Sequence, residues 1–200
     1  MNVVKKVVLG ITVGLLSILP TFSVAFGAAD HVRWDIISIN FPPTPPSTFR
    51  PGGVAFALAD ADHRIRLTGF GTFVAPASGG ISGAATGGGT WETFGPGGVS
   101  TGSGTYQVTE LVSWHFANFQ TGTFIDLIGD ANERANGSAV LRIAYSDGNE
   151  GTLGVGCHGP GAPAGIQEGV IATKDFMTYW SAQAPLPGVD ANRTLFHVRQ

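Results

Sequence analysis

The chain has 200 residues, of which 12% are charged, 10% are aromatic and thirty are glycine. This length suits one domain, and the apolar content excludes intrinsic disorder because enough apolar surface can be buried to offset the entropy lost on folding. The net charge of −3, with no stripe of basic residues, argues against nucleic acid and anionic membranes as partners.

The N-terminus has the three-part layout of a secretory signal peptide. Two lysines precede the uncharged apolar run 7–19, and small residues follow around Gly27. An uncleaved membrane anchor is the alternative, because residues 7–29 carry no charge and are long enough to span a bilayer. We therefore expect a signal peptide at 1–28, a secreted or extracytoplasmic protein that leaves the membrane on cleavage, and a single β domain at 29–200.

The first part of the expected domain predicts short strands separated by loops rich in proline and glycine. The strands are predicted at residues 32–40, 53–59, 64–74 and 90–94. Five prolines within residues 41–51 predict a stiff extended loop. Thirteen glycines within residues 69–104 predict a long mobile loop around the strand at 90–94, and those inside strands indicate bends or close packing.

The strand predicted at residues 105–116 has the clearest period-two alternation, which is typical of a sheet with one buried side. Residues 123–128 are expected to be its hairpin partner. A second hairpin is predicted around Asp147-Gly148-Asn149, a strong turn signal. The remaining predictions are strands at 139–145, 152–157, 166–173 and 193–199 and a short helix at 175–183.

These elements predict an all-β fold, a single antiparallel β-barrel or sandwich of about eight to ten short strands, with one short helix near the C-terminus. Full closure into a barrel is attractive because it removes exposed strand edges.

Two carboxylates are the candidate catalytic residues. Glu110 shares a predicted strand face with Tyr106 and Trp114, where an apolar core is expected, and a buried carboxylate must be paired or neutralised. Asp126 alternates in the same way with apolar neighbours on the adjacent predicted strand. The structural alternative is that Glu110 lies at a bulge or pairs with Arg64, Arg66 or Arg142, since structural ion pairs also perturb carboxylates.

Three functions remain open at this point. The preferred hypothesis is a protein that binds a small apolar molecule or another surface, with Tyr106, Trp114 and Glu110 as ligand-binding candidates among aromatic inner faces. The second is a barrel-lumen enzyme, an isomerase, cyclase or hydrolase, that uses Glu110 and Asp126 for acid–base chemistry. The third is a structural or interaction protein without a pocket.

The sequence offers no pattern for a metal or a cofactor. The five histidines lack metal-ligand spacing, and three Asp-x-Asp or Asp-x-Asn segments are interpreted as turns rather than calcium loops. Cys157 is the lone cysteine, so no internal disulfide is possible, and we expect it to be buried rather than paired with a second chain. Asn136 and Asn192 each open a glycosylation sequon.

Overall fold

Fourteen strands make up almost all of the regular structure. The computed structural model describes residues 29–77, 80–186, 188 and 190–200, and the predicted signal peptide at 1–28 lies outside them. Within the described residues the strands are β1 (Asp30–Asn40), β2 (Thr48–Pro51), β3 (Ala55–Leu58), β4 (Arg64–Leu67), β5 (Phe70–Ala75), β6 (Ala85–Phe94), β7 (Ser100–Phe119), β8 (Ile125–Asp126), β9 (Arg134–Tyr145), β10 (Glu150–Cys157), β11 (Gly169–Lys174), β12 (Met177–Tyr179), β13 (Ser181–Ala182) and β14 (Thr194–Arg199).

Six of these strands close into an antiparallel barrel in the order β1-β5-β6-β7-β9-β14, with β14 pairing back onto β1. The other strands extend the sheet beyond the barrel: β10, β11 and β12 continue from β9, and β4, β3 and β13 continue from β6. The predicted all-β antiparallel barrel is therefore confirmed. The structure has more strands than the predicted eight to ten mainly because it includes four very short ones. These are β2, β8, β12 and β13, each of two to four residues.

Aromatic side chains fill the inside of the barrel. Trp34 on β1, Phe73 on β5 and Phe196 on β14 are fully buried. Trp114 reaches from β7 to the opposite strands, with its ring centroid 5.5 Å from that of Phe73 and 4.7 Å from that of Phe196, both in edge-on geometry. Its indole Nε1 donates to Asp30 Oδ2 at 3.1 Å. Edge-on aromatic pairs add to the stability gained by burying the rings.

The glycine-rich segment at residues 69–104 is not a long mobile loop, and that prediction is wrong. Its described residues include β5, β6 and the start of β7. The reason is visible at Gly71, where a Cβ atom would overlap the carbonyl oxygen of Thr86 and lie 2.8 Å from Trp34 Nε1. Glycine lets two backbones and a buried indole approach more closely than any other residue allows.

The predicted short helix at residues 175–183 is also wrong. The chain there turns sharply at Asp175, which has a φ of 55°, and returns as β12 so that Lys174 pairs with Met177. Its aromatic residues have helical spacing, but Phe176 is fully exposed at the tip of the turn rather than on a buried helix face. Within the described ranges, no helix is long and apolar enough to cross a membrane.

One of the two predicted hairpins forms and the other does not. The hairpin of β9 and β10 forms as expected, with Ala144 opposite Glu150 and Ala139 opposite Val155. Residues 123–128 are not the hairpin partner of β7: they contribute β8, which pairs in parallel with β2, while β7 pairs with β6 and β9.

The three Asp-x-Asp or Asp-x-Asn segments are turns, as predicted. In each one the first aspartate accepts a hydrogen bond from the backbone N–H two residues later, at 2.8 Å for Asp60, 2.8 Å for Asp130 and 3.2 Å for Asp147. These contacts are the Asx turns that such residues form without a metal.

Close packing at Gly71 makes a first prediction. Gly71→Ala should lower the free energy of unfolding by about 1–3 kcal/mol or more, because the new methyl group meets backbone and a buried indole that cannot move aside. Gly83→Ala is the matched control, since a Cβ there meets nothing within 4 Å. It should change stability by no more than about 0.5 kcal/mol. Denaturant unfolding of both variants is the measurement, and equal effects would contradict the close strand contact.

Candidate functional site

Glu110 lies on the outside of β7 in an ion pair. The register between β7 and β9 shifts between Val108 and Glu110, so that Leu111 takes the next fully buried position. Arg142 Nε donates to Glu110 Oε2 at 3.0 Å, and the carboxylate side chain is 28% exposed. A bulge and an arginine partner are the features that the structural alternative predicted for Glu110, in place of a catalytic role.

Tyr106 lies in the protein interior, and Trp114 is partly buried against the core. Tyr106 is buried, its hydroxyl donates to the carbonyl oxygen of Thr68 at 2.8 Å, and burial raises the pKa of the phenol. Trp114 fills the barrel as described above. The structure therefore does not bring Tyr106, Trp114 and Glu110 together at one open site.

Asp126 is the centre of a buried cluster of charged groups. Its side chain is 1% exposed, and its Oδ2 lies 3.0 Å from His197 Nε2 and 3.9 Å from Arg134 Nε. Oδ1 accepts hydrogen bonds from the backbone of Ile128 and Gly129. Burial disfavours the charged form, but the hydrogen bonds from His197 and these backbone groups outweigh it, so the pKa of Asp126 is lowered.

The charged cluster supports an aromatic pair. Phe49 on β2 and Phe124 just before β8 stack with ring centroids 4.6 Å apart and planes 20° apart. The Arg134 guanidinium lies 5.7 Å from the Phe49 centroid and 5.3 Å from the Phe124 centroid. Because Asp126 and Arg134 share a buried contact, the cluster ties this aromatic pair to the barrel strands β9 and β14.

The aromatic pair forms one wall of a cavity of about 430 Å³ beside the barrel. Its floor comes from the barrel strands, with Ile37 and Ile39 on β1 and Leu195 on β14. The loop at residues 158–168, which connects β10 to β11, supplies a further part of the lining. Most of the residues around the cavity are apolar.

Buried amides hold the 158–168 loop in place. Asn136 on β9 is fully buried, and its Oδ1 accepts from the backbone N–H of Gly159 at 2.7 Å. Asn118 on β7 accepts from Asn136 Nδ2 at 2.9 Å and donates from its own Nδ2 to the carbonyl oxygen of Gly161 at 2.7 Å. Two side chains from neighbouring barrel strands thus fix the beginning of the loop.

Both glycosylation sequons have their asparagine amide engaged in the fold. Asn136 is buried under the loop, as just described. The Oδ1 of Asn192 accepts from the backbone N–H of Phe56 at 2.8 Å, and Asn192 has a positive φ of 58°. In the folded chain, neither side chain is presented as an extended surface acceptor.

Glu168 is the one carboxylate among the described residues that line the cavity. Its Oε1 accepts from the backbone N–H of Thr194 at 2.7 Å and its Oε2 from that of His158 at 2.5 Å. Burial raises the pKa of Glu168 to about 6, against the opposing effect of these hydrogen bonds and of the charge on Arg193. A partly buried carboxyl group with a pKa near neutrality is typical of functional sites, although structural carboxylates also show it.

Cys157 lines the same cavity as an inert thiol. Its Sγ donates to the carbonyl oxygen of Thr194 at 3.3 Å and accepts from Gln120 Nε2 at 3.2 Å, and burial raises the pKa of the thiol well above its usual range. Only the thiolate is an effective nucleophile, so the geometry does not support thiol catalysis. The expectation that Cys157 is buried is confirmed.

Two polar atoms near the cavity lack partners. Gln120 Oε1 and Arg193 Nε are both buried with no hydrogen-bond partner among the residues that the structure describes. A buried polar atom without a partner costs free energy and calls for an explanation. The Arg193 guanidinium also lies 5.2 Å from the centroid of Phe41 and donates from Nη2 to the carbonyl oxygen of Leu186.

Sequence reasoning missed Glu168. The predicted strand at residues 166–173 includes Glu168, whereas in the structure Glu168 is the last residue before β11, which begins at Gly169. Its partners lie ten and twenty-six residues away in the chain. The local signal was a lone carboxylate at the end of a Gly/Pro loop, which by itself is typical of a solvated position.

The two carboxylates singled out from the sequence give a matched pair of stability predictions. Asp126→Asn should lower the free energy of unfolding by about 3–5 kcal/mol, because it leaves the buried Arg134 and His197 without their anion. Glu110→Gln should cost only about 0–1 kcal/mol, since its ion pair with Arg142 is solvated. Chemical denaturation of both variants at neutral pH is the test, and a small effect of Asp126→Asn would rule out the supporting role.

The lowered pKa of Asp126 also sets the sign of a pH effect. The stabilisation by the carboxylate is present above its ordinary pKa of 3.8 and is lost as the pH falls through the lower folded-state value. Plots of unfolding free energy against pH for the wild type and Asp126→Asn should therefore converge in acid. Parallel curves down to the acid transition would contradict the assignment.

Glu168 should show the opposite sign. Because its folded-state pKa is raised from 4.5 to about 6, its contribution to stability is present in acid and is lost as the pH rises through that interval. The unfolding free energy of the wild type, relative to that of Glu168→Gln, should thus fall between pH 4.5 and pH 6. A carboxyl NMR titration gives the folded-state midpoint directly, and a midpoint at or below 4.5 would contradict the burial effect.

No family model, curated protein or solved structure matches this chain. The function is therefore inferred from the cavity itself, from its apolar walls and the few polar groups among them.

Proposed function

We propose that this chain is an exported β-barrel protein that binds a small, mainly apolar molecule in the 430 Å³ cavity between the Phe49–Phe124 pair and the 158–168 loop. The observation that carries the proposal is the cavity. Export rests on the N-terminal sequence pattern alone.

The size and lining of the cavity support a small-molecule ligand. Ligand pockets typically have volumes of about 300–1,000 Å³ and apolar walls with a few polar groups that orient the ligand. Here the walls include Ile37, Ile39 and the aromatic pair, and the polar groups include Glu168 and Arg193. A ligand with an apolar body and one polar group complements this lining.

Preorganisation also supports binding. Asn118 and Asn136 hold one wall, and the buried contacts of Asp126 hold the other. Walls that are already ordered spare the ligand the cost of ordering loops on binding, which otherwise reduces affinity.

Binding to another surface is the second candidate, and one observation favours it. Phe176 at the β11–β12 turn is fully exposed and Trp180 is 65% exposed. Exposed aromatic residues are enriched at interaction sites. The hypothesis of an enzyme built on Glu110 and Asp126 has less support, because neither carboxylate lines the cavity.

Filling the cavity tests the proposal. The neutral apolar dye N-phenyl-1-naphthylamine should bind the wild type with enhanced fluorescence, and Ile166→Trp should weaken that binding at least about tenfold, because the larger side chain occupies the ligand's space. Ile81→Trp is the control, since Ile81 is 61% exposed and is not among the cavity-lining residues. Dye binding that survives Ile166→Trp, or that Ile81→Trp weakens equally, would place the ligand elsewhere.

A further inference from the structure

Glu168 and Arg193 are the one carboxylate and the one guanidinium among the described residues that line the cavity. We propose that the cavity is a proton-transfer site in which Glu168 moves a proton between carbon atoms of a small apolar ketone while Arg193 stabilises the ketone oxygen. This inference rests on the proposed function, because it requires the ligand to occupy the same cavity.

The carboxylate is held in one orientation and keeps acceptor capacity. Oε2 accepts the backbone N–H of His158, while Oε1 accepts that of Thr194 and also lies 3.3 Å from the Thr194 hydroxyl. A carboxylate oxygen has two lone-pair sites, so Oε2 retains one for a substrate proton. A base fixed by backbone contacts loses little freedom when it reacts.

The surroundings of Glu168 match the requirements of a general base. Its partly buried position beside apolar walls reduces its hydration, and the resulting pKa of about 6 leaves the group mostly ionised, yet basic, at neutral pH. General bases work best when their pKa lies near the operating pH.

Arg193 lies next to this base. It directly precedes Thr194, whose N–H binds Glu168, and its charge acts on the carboxylate. Its Nε is buried without a hydrogen-bond partner in the described part of the chain. A ketone oxygen gains negative charge as the adjacent C–H bond breaks, and a positioned cationic donor stabilises that charge most in the transition state.

The reaction balances without a co-reactant. Glu168 takes the proton from the carbon between the carbonyl and a β,γ double bond, and the C–H electron pair forms an enolate whose oxygen faces Arg193. The new carboxylic acid then returns the proton to the γ carbon, and the double bond moves to the α,β position. Glu168 ends as the carboxylate with which it began.

The cavity also holds His158 and Cys157. The Nδ1 of His158 lies 2.8 Å from the carbonyl oxygen of Ile166, which can only accept, so in the neutral ring Nδ1 carries the proton and Nε2 keeps a lone pair. Loss of the rate in Glu168→Gln distinguishes the carboxylate from this imidazole. The Cys157 thiol is buried beneath Gln120, and burial raises its pKa. The neighbours that act on the titration of Glu168 are the backbone N–H groups of His158 and Thr194, the Thr194 hydroxyl and the charge of Arg193.

The test uses the full chain as it is produced and cyclohex-3-en-1-one as the probe ketone. Its conversion to the conjugated isomer is followed by ultraviolet absorbance. The wild type should accelerate the reaction about 10²–10⁴-fold over buffer, with a rate that rises with pH around a midpoint near 6. Glu168→Gln should return the rate to background, Glu168→Asp should keep part of it, and Glu110→Gln should leave it unchanged.

Displacement of N-phenyl-1-naphthylamine by the ketone separates the possible failures. A ketone that displaces the dye but is not isomerised, or a rate that does not depend on pH near 6, overturns the proton-transfer inference and leaves ligand binding in place. A ketone that fails to displace bound dye overturns the assignment of a carbonyl ligand. Absence of dye binding to the wild type overturns the proposed function itself.

Discussion

The constraint on which the structure depends is that a six-stranded barrel is too narrow to enclose a ligand. Barrels of about eight strands have an interior that side chains can just fill, and six strands leave less room still. Here Trp114 spans the interior and packs on Phe73 and Phe196, and Gly71 yields the space that Trp34 needs. The lumen is thus a packed core, and the cavity proposed for a small molecule lies on the flank of the barrel.

That flank is built by irregular segments that are pinned to the barrel by buried polar contacts. Asn136 supports the 158–168 loop, and Asp126 with Arg134 supports the aromatic pair on the opposite side. Charges taken out of water carry a desolvation cost, so such a cluster is weak evidence for stability by itself. The effect of the cluster here is to position the stacked rings of Phe49 and Phe124 beside the barrel.

Three carboxylates illustrate how surroundings determine a role. Glu110 is solvated and paired with Arg142. Asp126 is buried among compensating groups that lower its pKa, whereas at Glu168 the loss of hydration outweighs the hydrogen bonds and raises the pKa. The chemistry of the side chain is the same in each case. Only the balance between lost hydration and gained hydrogen bonds differs.

The sequence by itself determined the fold class, the strand at residues 32–40, the β9–β10 hairpin and the three Asx turns. Each depends on period-two alternation or on turn residues a few positions apart, which are local properties. Only the tertiary structure decided that the glycine-rich segment becomes strands, that β8 pairs with β2, and that Glu168 meets Thr194 at the cavity. These features depend on close approach and burial between residues distant in the chain, for which the local pattern holds no signal.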